Sequence, residues 1–506
     1  MKLNKIAFAV LAMASTGAFA ATPALCTTAP TTGADLVAKC APEVTFFAAG
    51  GTAMRDAYKI AMSTMFDATK PLVYVKTLKA DGSENKDQFA MYGYGATTAD
   101  ATVATKRLAI VVNTANGSMA GVNQILTGAK TGSLLNNVDG KEYELTIKLQ
   151  SAAGMKSATA WAPVGMTISA DAAAGYSLPS GAAVAKVQMV TLPAATSVGD
   201  LKAGWGVDAN KLVNIAFTDV RPSEAVPGQV ANKGKWDSVK FPFVKIAMQG
   251  FQVAVNANLY NALVTRDVAE GRLASTCAGV TSAACQPTIF SAEMTSLMMG
   301  KRPAGWDAAT PVTLQRRVDS SGTQAASQIF FATTPNPALV KTQSAFASVL
   351  GGTLADAGTV AGVDAGVNLV VNGSSDSVAA NIPKDTAGYS VGVLSSDKGA
   401  YTSAAANILS VKIDGFSPNV YNNAGVVTSD SSAKATLAKG YPFQFEFGAI
   451  IPTAANKAPQ AAVAAMFKTA LQYKGNSVKG VVYNGTDAGQ SAYSRGGNNF
   501  APLSQY

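Results

Sequence analysis

The chain reads as an α/β protein built from two lobes, and three observations predict this. Its 506 residues exceed what one hydrophobic core usually organises, so two or more lobes with real cores are expected. A strand-like run, a Gly/Ser/Thr turn and a helical pattern follow one another at three separate places, residues 44–65, 108–125 and 312–331. Strands alternating with helices in this way point to parallel sheets. Finally, the long apolar stretch from Phe241 to Asn256 suits a strand that crosses between lobes.

Composition narrows the class. With 48% hydrophobic and 14% charged residues the chain is globular, not disordered. Residues 1–20 carry Lys2 and Lys5, an apolar run from Ile6 to Met13, and the small-residue ending Ala18-Phe19-Ala20. That is the pattern of a cleaved secretory signal, with Ala21 as the new N-terminus, and it is too short for a membrane anchor. No later apolar run is long enough to span a bilayer, and Pro23-Ala24-Leu25 before Cys26 is a poor lipid-attachment context. The mature protein is therefore expected to be soluble and exported, in the periplasm or, alternatively, secreted or on the cell surface.

Loss of Lys2 and Lys5 takes the formal charge from +9 to +7, an excess that mildly attracts anions. No Lys/Arg-rich block suggests nucleic acid. Four cysteines fall into two sequence-local pairs, Cys26 with Cys40 and Cys277 with Cys285. In an oxidising compartment two short-loop disulfides are the simplest of the three connectivities. The chain has no histidine. That removes Ser-His and Cys-His nucleophilic chemistry and, with the cysteine spacing, a zinc site. There is no Walker loop, nucleophile elbow or dinucleotide fingerprint, so neither an enzyme nor a cofactor is expected.

Taken in order, residues 21–41 are rich in Ala, Thr and Pro and read as an exposed arm tied by the first disulfide. Val44 to Phe47 reads as a buried strand, Ala48 to Ala53 as a Gly-rich loop, and a helix follows with Ala57, Ile60, Ala61 and Met65 on one face. Residues 71–113 suggest a hairpin turning at Asp81-Gly82-Ser83 and ending in a strand from Leu108 to Asn113. That strand runs into Asn116-Gly117-Ser118 and a helix; the same triplet fits a glycosylation sequon, a pattern common by chance. From 126 to 212 the character changes to short alternating strands, read as a β-rich insertion.

Parallel-sheet character returns at Leu212 to Phe217, placing Asp219 just past a hydrophobic strand. Open α/β sheets put ligand-binding residues there, although an Asp before Pro222 also turns the chain. Beyond the crossing stretch, the methionines between Phe290 and Asp307 suit a helix core better than a metal box. Residues 336–440 alternate Ala-rich helical segments with Gly/Ser/Asp turns around a strand at Tyr389 to Leu394. Tyr441 to Phe447 reads as the return crossing, and Ala461 to Gln472 as a helix with Val463, Met466, Phe467 and Ala470 inward. The tail after Gly489 is expected to be loosely ordered.

The third unit carries the chemistry. Val312 to Leu314 leads into Arg316-Arg317-Val318-Asp319-Ser320-Ser321-Gly322-Thr323 and then helix formers with apolar residues at Ala325, Ile329 and Phe330. Unpaired N–H groups at a helix start favour an oxyanion, Ser321 and Thr323 add hydroxyls, and Gly322 allows close approach. Arg317 supplies charge and a planar fork of donors. Ser-Gly-Thr before a helix is also a common N-cap with no ligand at all.

With these segments in order, the chain resembles the periplasmic phosphate-binding proteins of bacterial phosphate ABC importers. Ala49-Gly50-Gly51-Thr52-Ala53 is similar to that family's first loop, though Met54-Arg55-Asp56 departs from its Phe-Pro-Ala-Pro continuation. Gly117 to Ile125 resembles its Gly-Ser-Ser-Gly-Gly-Val-Lys-Gln-Ile loop, and Phe217 to Pro222 its Gly-Ala-Ser-Asp-Ala-Pro segment. Phe290 to Asp307 resembles its signature ending in Trp-Asp, and Arg317 to Thr323 its Arg-x-Asp-Gly-Ser-Gly-Thr loop.

The resemblance implies a type II periplasmic-binding-protein-like α/β fold of two lobes with the β-rich insertion in the first. Lobe I would comprise residues 42–245 and 446–506, with the insertion at 126–212, and lobe II residues 246–445. It implies hydroxyls from Thr52, Ser118, Ser321 and Thr323, backbone donors at Ala53 and Gly322, charge from Arg317, and Asp219 accepting the proton of hydrogen phosphate. Inorganic phosphate or a similar oxyanion and an ABC permease are the implied partners of a monomer. A secreted or cell-surface interaction protein on the same scaffold is the alternative, motivated by the insertion.

Overall fold

The computed structural model describes residues 42–52, 55–67, 72–78, 84–97, 99–114, 117–127, 134–136, 142–144, 187–191, 213–223, 236–332, 363–396, 406–418, 441–456, 458–472, 481–483, 493–494 and 504–505. The expected signal peptide, the pair Cys26 and Cys40, Ala53, and most of the 126–212 insertion lie outside them.

The apolar run at Val44 makes β1 (Val44–Gly50), buried along nearly its whole length as a strand inside a parallel sheet must be. It stops at Gly50, whose φ of +102° suits only glycine and whose Cβ, if present, would meet the Phe217 carbonyl oxygen at 2.1 Å. In α1 (Arg55–Thr64) and just past it, Ala61 and Met65 are buried as predicted. Tyr58 and Met62 join them, so the inward stripe is broader than the reading allowed.

β2 (Leu72–Leu78), β3 (Glu84–Tyr94) and β4 (Arg107–Asn113) form an antiparallel meander, and β4 pairs parallel with β1 from Val44 opposite Leu108 to Ala49 opposite Asn113. The strand β3 was not foreseen, because its opening Glu84-Asn85-Lys86-Asp87 hides the alternation. Where β1 and β4 begin, the Glu43 carboxylate accepts the Arg107 backbone N–H at 3.0 Å. That bond, with Lys106 and the Arg107 guanidinium close by, holds its pKa below the ordinary value.

After α2 (Ser118–Thr127) come a small hairpin, β5 (Leu134–Asn136) with β6 (Glu142–Glu144), and β7 (Val187–Thr191). β7 pairs parallel with β2 and is the last strand on that side of the sheet. β8 (Ile215–Thr218) pairs parallel with β1 on its other side. Then β9 (Phe243–Val255) leaves the first lobe and α3 (Ala257–Ala269) starts the second, capped by Asn256 Oδ1 accepting the Leu259 N–H at 3.1 Å. Cys277 and Cys285 are disulfide-bonded, with Cα atoms 5.1 Å apart.

The second lobe continues with β10 (Thr288–Ile289), α4 (Ser291–Met298), β11 (Val312–Arg317), α5 (Gly322–Ala332), β12 (Val367–Asn372), α6 (Ser375–Asn381) and β13 (Tyr389–Ser395). β11 lies parallel between β12 and β13. Two short strands, β14 (Leu409–Ser410) and β15 (Lys412–Ile413), precede β16 (Gln444–Ile450), which returns to the first lobe and leads to α7 (Gln460–Gln472). Val463 and Phe467 are buried in α7 as predicted, with Ala464 and Leu471 beside them. β17 (Val481–Tyr483) lies against β9, and in the tail after Gly489 the described residues are the paired β18 (Tyr493–Ser494) and β19 (Ser504–Gln505).

All but three two-stranded pairs join one 13-stranded sheet, in the order β12-β11-β13-β9-β16-β8-β1-β4-β3-β2-β7 with β14 and β17 also on β9. The strand β9 spans both lobes: Phe243 to Gly250 pair with β16, and Phe251 to Val255 pair with β13. Its 13 residues and those of β16 are the two crossings, and the fold is the two-lobed α/β arrangement expected. Aromatic rings pack across the crossing, with Phe330 stacked on Phe443 at 4.5 Å and Phe251 at 5.3 Å from Phe443.

On β16, Glu446 is 1% exposed and bridges Arg221 at 3.1 Å and Lys245 at 3.3 Å. Glu446→Ala strands two cations in a largely dry setting, and urea denaturation should show a loss of about 2–4 kcal/mol, below the full buried-pair cost because both cations are partly solvated. At Glu43 the sign runs the other way from a buried base. Its contribution is present above the ordinary carboxylate range and lost as pH falls through the lower folded-state value. Thermal melts of Glu43→Gln are expected to show a shallower acid-side decline than the parent chain.

Candidate functional site

The first lobe contributes two residues. At the end of β8, the Thr218 hydroxyl donates to the Val220 carbonyl at 2.6 Å and accepts the Val220 N–H at 3.2 Å. This tight turn presents Asp219 just past the strand, 2% exposed. Ser118 opens α2 and is equally buried, and its Oγ donates to Asp219 Oδ2 at 3.0 Å across 101 residues of sequence. Gly117 precedes it with φ +81°, a turn that brings the helix start round toward the sheet edge.

The second lobe brings the loop between β11 and α5. Ser321 donates its N–H to the Val318 carbonyl at 3.0 Å, and its Oγ accepts the Gln324 N–H at 3.4 Å, so it caps α5. Gly322 then enters the first lobe's territory. A Cβ on it would lie 2.1 Å from Asp219 Oδ2 and 2.4 Å from Ser118 Oγ, contacts that exclude any side chain. The lobes also bond directly, since the Met119 N–H donates to the Ser320 carbonyl at 2.9 Å. A Cβ on Gly117 would be 3.2 Å from both that carbonyl oxygen and Ser321 Cα.

Thus Ser118, Asp219 and Gly322, expected to converge, do meet in one buried seam, with Ser321 next to it as a helix cap. Thr52 is half-buried at the Gly-rich loop, whose Gly51 would carry a Cβ 3.5 Å from Ser118 Oγ. Ala53, expected as a backbone donor, lies outside the described residues. Thr323 is buried, and it lines a cavity beneath α5 with Gln315, Arg316, Arg317, Gln324 and Ser327, one that includes neither Ser118 nor Asp219.

The arginines divide their work by strand alternation. Arg316 and Arg317 are neighbours on β11 and so leave opposite faces. Arg316 pairs with Asp319, while Arg317, 2% exposed, donates from Nη1 to Ser375 Oγ at 2.8 Å and from Nη2 to the Gly373 carbonyl at 3.0 Å. Its guanidinium thus reaches the start of α6. Arg55, at the start of α1, approaches Asp376 of α6 at 3.9 Å, an ion pair between lobes. With Asp376 62% exposed, that pair contributes at most about 1 kcal/mol.

Arg55 and Ser375 were not picked out as site residues. Arg55 stood in the sequence only as a departure from a similar loop. Ser375 follows a strand and Gly373-Ser374, the same strand-turn-helix signal as the other units, but it was absorbed into a long Ala-rich region. Among the described residues no group of three or more Cys, Asp or Glu side chains could hold a metal ion, and no helix is long and apolar enough to cross a membrane.

Chemically the seam offers an acceptor, Asp219, two helix N-termini at α2 and α5, and nearby hydroxyls. A hydroxyl has one proton to give, and that of Ser118 is directed at Asp219. Small and neutral donors around a single acid suit a ligand that is anionic and still carries a proton.

No family model matches the chain, and no curated protein matches it. Solved structures with a similar chain course include a "possible phosphate binding protein" from Planctomyces limnophilus, at 12% identity over 57% of this chain and 78% of that one, TM-score 0.28. An ABC-type phosphate transport receptor from Vibrio cholerae matches at 13% identity over 56% of this chain and 82% of that one, TM-score 0.28. PstS from Borrelia burgdorferi matches at 8% identity over 57% and 82%, TM-score 0.24.

Gly322→Ala should force the seam apart. Hydrogen exchange is expected to quicken at the Met119 amide, which donates across it, while the amides of β11 keep their protection.

Proposed function

We propose that this chain is an exported solute-binding protein that holds inorganic phosphate, or a similar protonated oxyanion, where its lobes meet and presents it to an ABC permease. The observation that carries the reading is the meeting of Ser118, Asp219 and Gly322, from three distant segments, in one buried seam between two helix N-termini. Buried peptide N–H groups and hydroxyls can bind a dianion without a cluster of cations, so affinity need not rest on a screened surface charge. Thr52, Ser118, Ser321 and Thr323 would supply hydroxyls, Ala53 and Gly322 backbone donors, and Arg317 a guanidinium.

Asp219 gives the site its selectivity. Hydrogen phosphate carries a proton that the carboxylate accepts, whereas sulfate carries none and meets an unmatched negative charge. In this arrangement the Ser118 proton turns from Asp219 to a ligand oxygen, an exchange that a freely rotating hydroxyl permits. Closure of the lobes on the anion would leave it dry, which strengthens each of these contacts.

A second reading, motivated by the 126–212 insertion, is a secreted or cell-surface interaction protein that keeps the scaffold without transport duty. Loss of phosphate-limited growth on deletion separates transport from this second reading, and calorimetry on ligand-stripped protein tests the phosphate assignment itself. Phosphate is expected to bind with measurable heat and sulfate at least about a hundredfold more weakly. Arg317→Ala should weaken phosphate roughly a hundredfold, and Asp219→Asn should bring phosphate and sulfate close together. No phosphate heat in the parent chain would overturn the assignment.

A further inference from the structure

The loop between β11 and α5 holds one hydroxyl that none of the roles above uses. Ser320 stands where the similar Arg-x-Asp-Gly-Ser-Gly-Thr loop has glycine. It is 0% exposed, and its Oγ has no hydrogen-bond partner among the described residues. Buried hydroxyls in native proteins are nearly always bonded, and one left over marks the place of a water or a ligand.

Its backbone places the residue in the fold. The Ser320 carbonyl accepts the Met119 N–H at 2.9 Å, so the residue lies on the seam between the N-terminal turns of α2 and α5. Two residues on, Gly322 packs against Asp219 and Ser118. The neighbouring hydroxyls are engaged: Ser118 donates to Asp219, Ser321 accepts the Gln324 N–H, and Ser327 donates to the Thr323 carbonyl. Ser390 also has a buried Oγ with no partner, but it sits inside β13, away from the seam.

We propose that Ser320 is a ligand-binding residue whose hydroxyl donates to an oxygen of the tetrahedral oxyanion held beside Asp219. This rests on the proposed function and adds a donor that the resemblance does not supply. A glycine at this position would leave that oxygen to the peptide N–H groups alone. With Ser320, the site offers the anion a donor whose proton no protein acceptor takes. Bonding to the anion would complete the hydrogen bond that Ser320 Oγ does not make among the described residues.

That contrast sets the test. Ser320→Ala and Ser320→Gly are compared with the parent chain by calorimetry with inorganic phosphate and by thermal unfolding without it. Both variants should bind phosphate about tenfold more weakly and still prefer it to sulfate, and Ser320→Ala should melt without ligand at or above the parent temperature. Affinity within twofold of the parent in Ser320→Ala would overturn the inference while leaving the phosphate reading intact. So would a melting temperature that falls in step with affinity, which marks a structural hydroxyl. If the parent itself gives no heat with phosphate, the inference falls together with the reading beneath it.

Discussion

Everything at the interlobe seam depends on how near Gly322 comes to the Asp219 carboxylate. A carboxylate that is 2% exposed must be compensated by hydrogen bonds or nearby positive potential. Ser118 provides one such bond, and the N-terminal turns of α2 and α5 supply the favourable ends of two helix dipoles. Those turns reach the acid because glycine stands at 117 and 322. A side chain at 322 would displace the Asp219 and Ser118 side chains, and one at 117 would be strained by its φ of +81°.

The seam is also tied to the crossing strands. Arg221 follows Asp219 by two residues and bonds Glu446 in the middle of β16, while its guanidinium lies 4.5 Å over the Phe243 ring at the start of β9. The loop that presents the acid is therefore anchored to both strands that join the lobes. Phe251, Phe443 and Phe330 make the far side of the crossing a packed core.

Much of the arrangement was legible because periodicity and turn chemistry act locally. The apolar runs that became β1, β4, β9 and β16 are largely buried, and of the stripe on α7 Val463 and Phe467 are buried while Met466 and Ala470 are partly buried against the same core. The loops at Ser118, Asp219 and Gly322 were legible for the same reason, each being a Gly, Ser or Asp turn at the end of a buried strand. The polar start of β3 concealed a strand that only pairing with β2 and β4 makes favourable. Arg317 was read as facing an anion, and in the fold its guanidinium also holds Ser375 and Gly373. Likewise Ser321 proved to cap its own helix, a role that a Ser-Gly-Thr turn cannot be told from by sequence.

What the sequence by itself determined is the alternation of strands and helices, the strand long enough to serve both lobes, and the turns able to bare helix N-termini. These follow from forces acting over a few residues: side-chain periodicity, glycine's freedom at positive φ, and capping hydroxyls. Only the tertiary structure decided which of those turns face one another. That Ser118 gives its proton to Asp219, that Arg55 reaches Asp376, and that Ser320 is buried with its hydroxyl unbonded among the described residues are consequences of how the chain packs. Contacts between residues a hundred or more positions apart depend on the geometry of the closed sheet, and no local pattern encodes them.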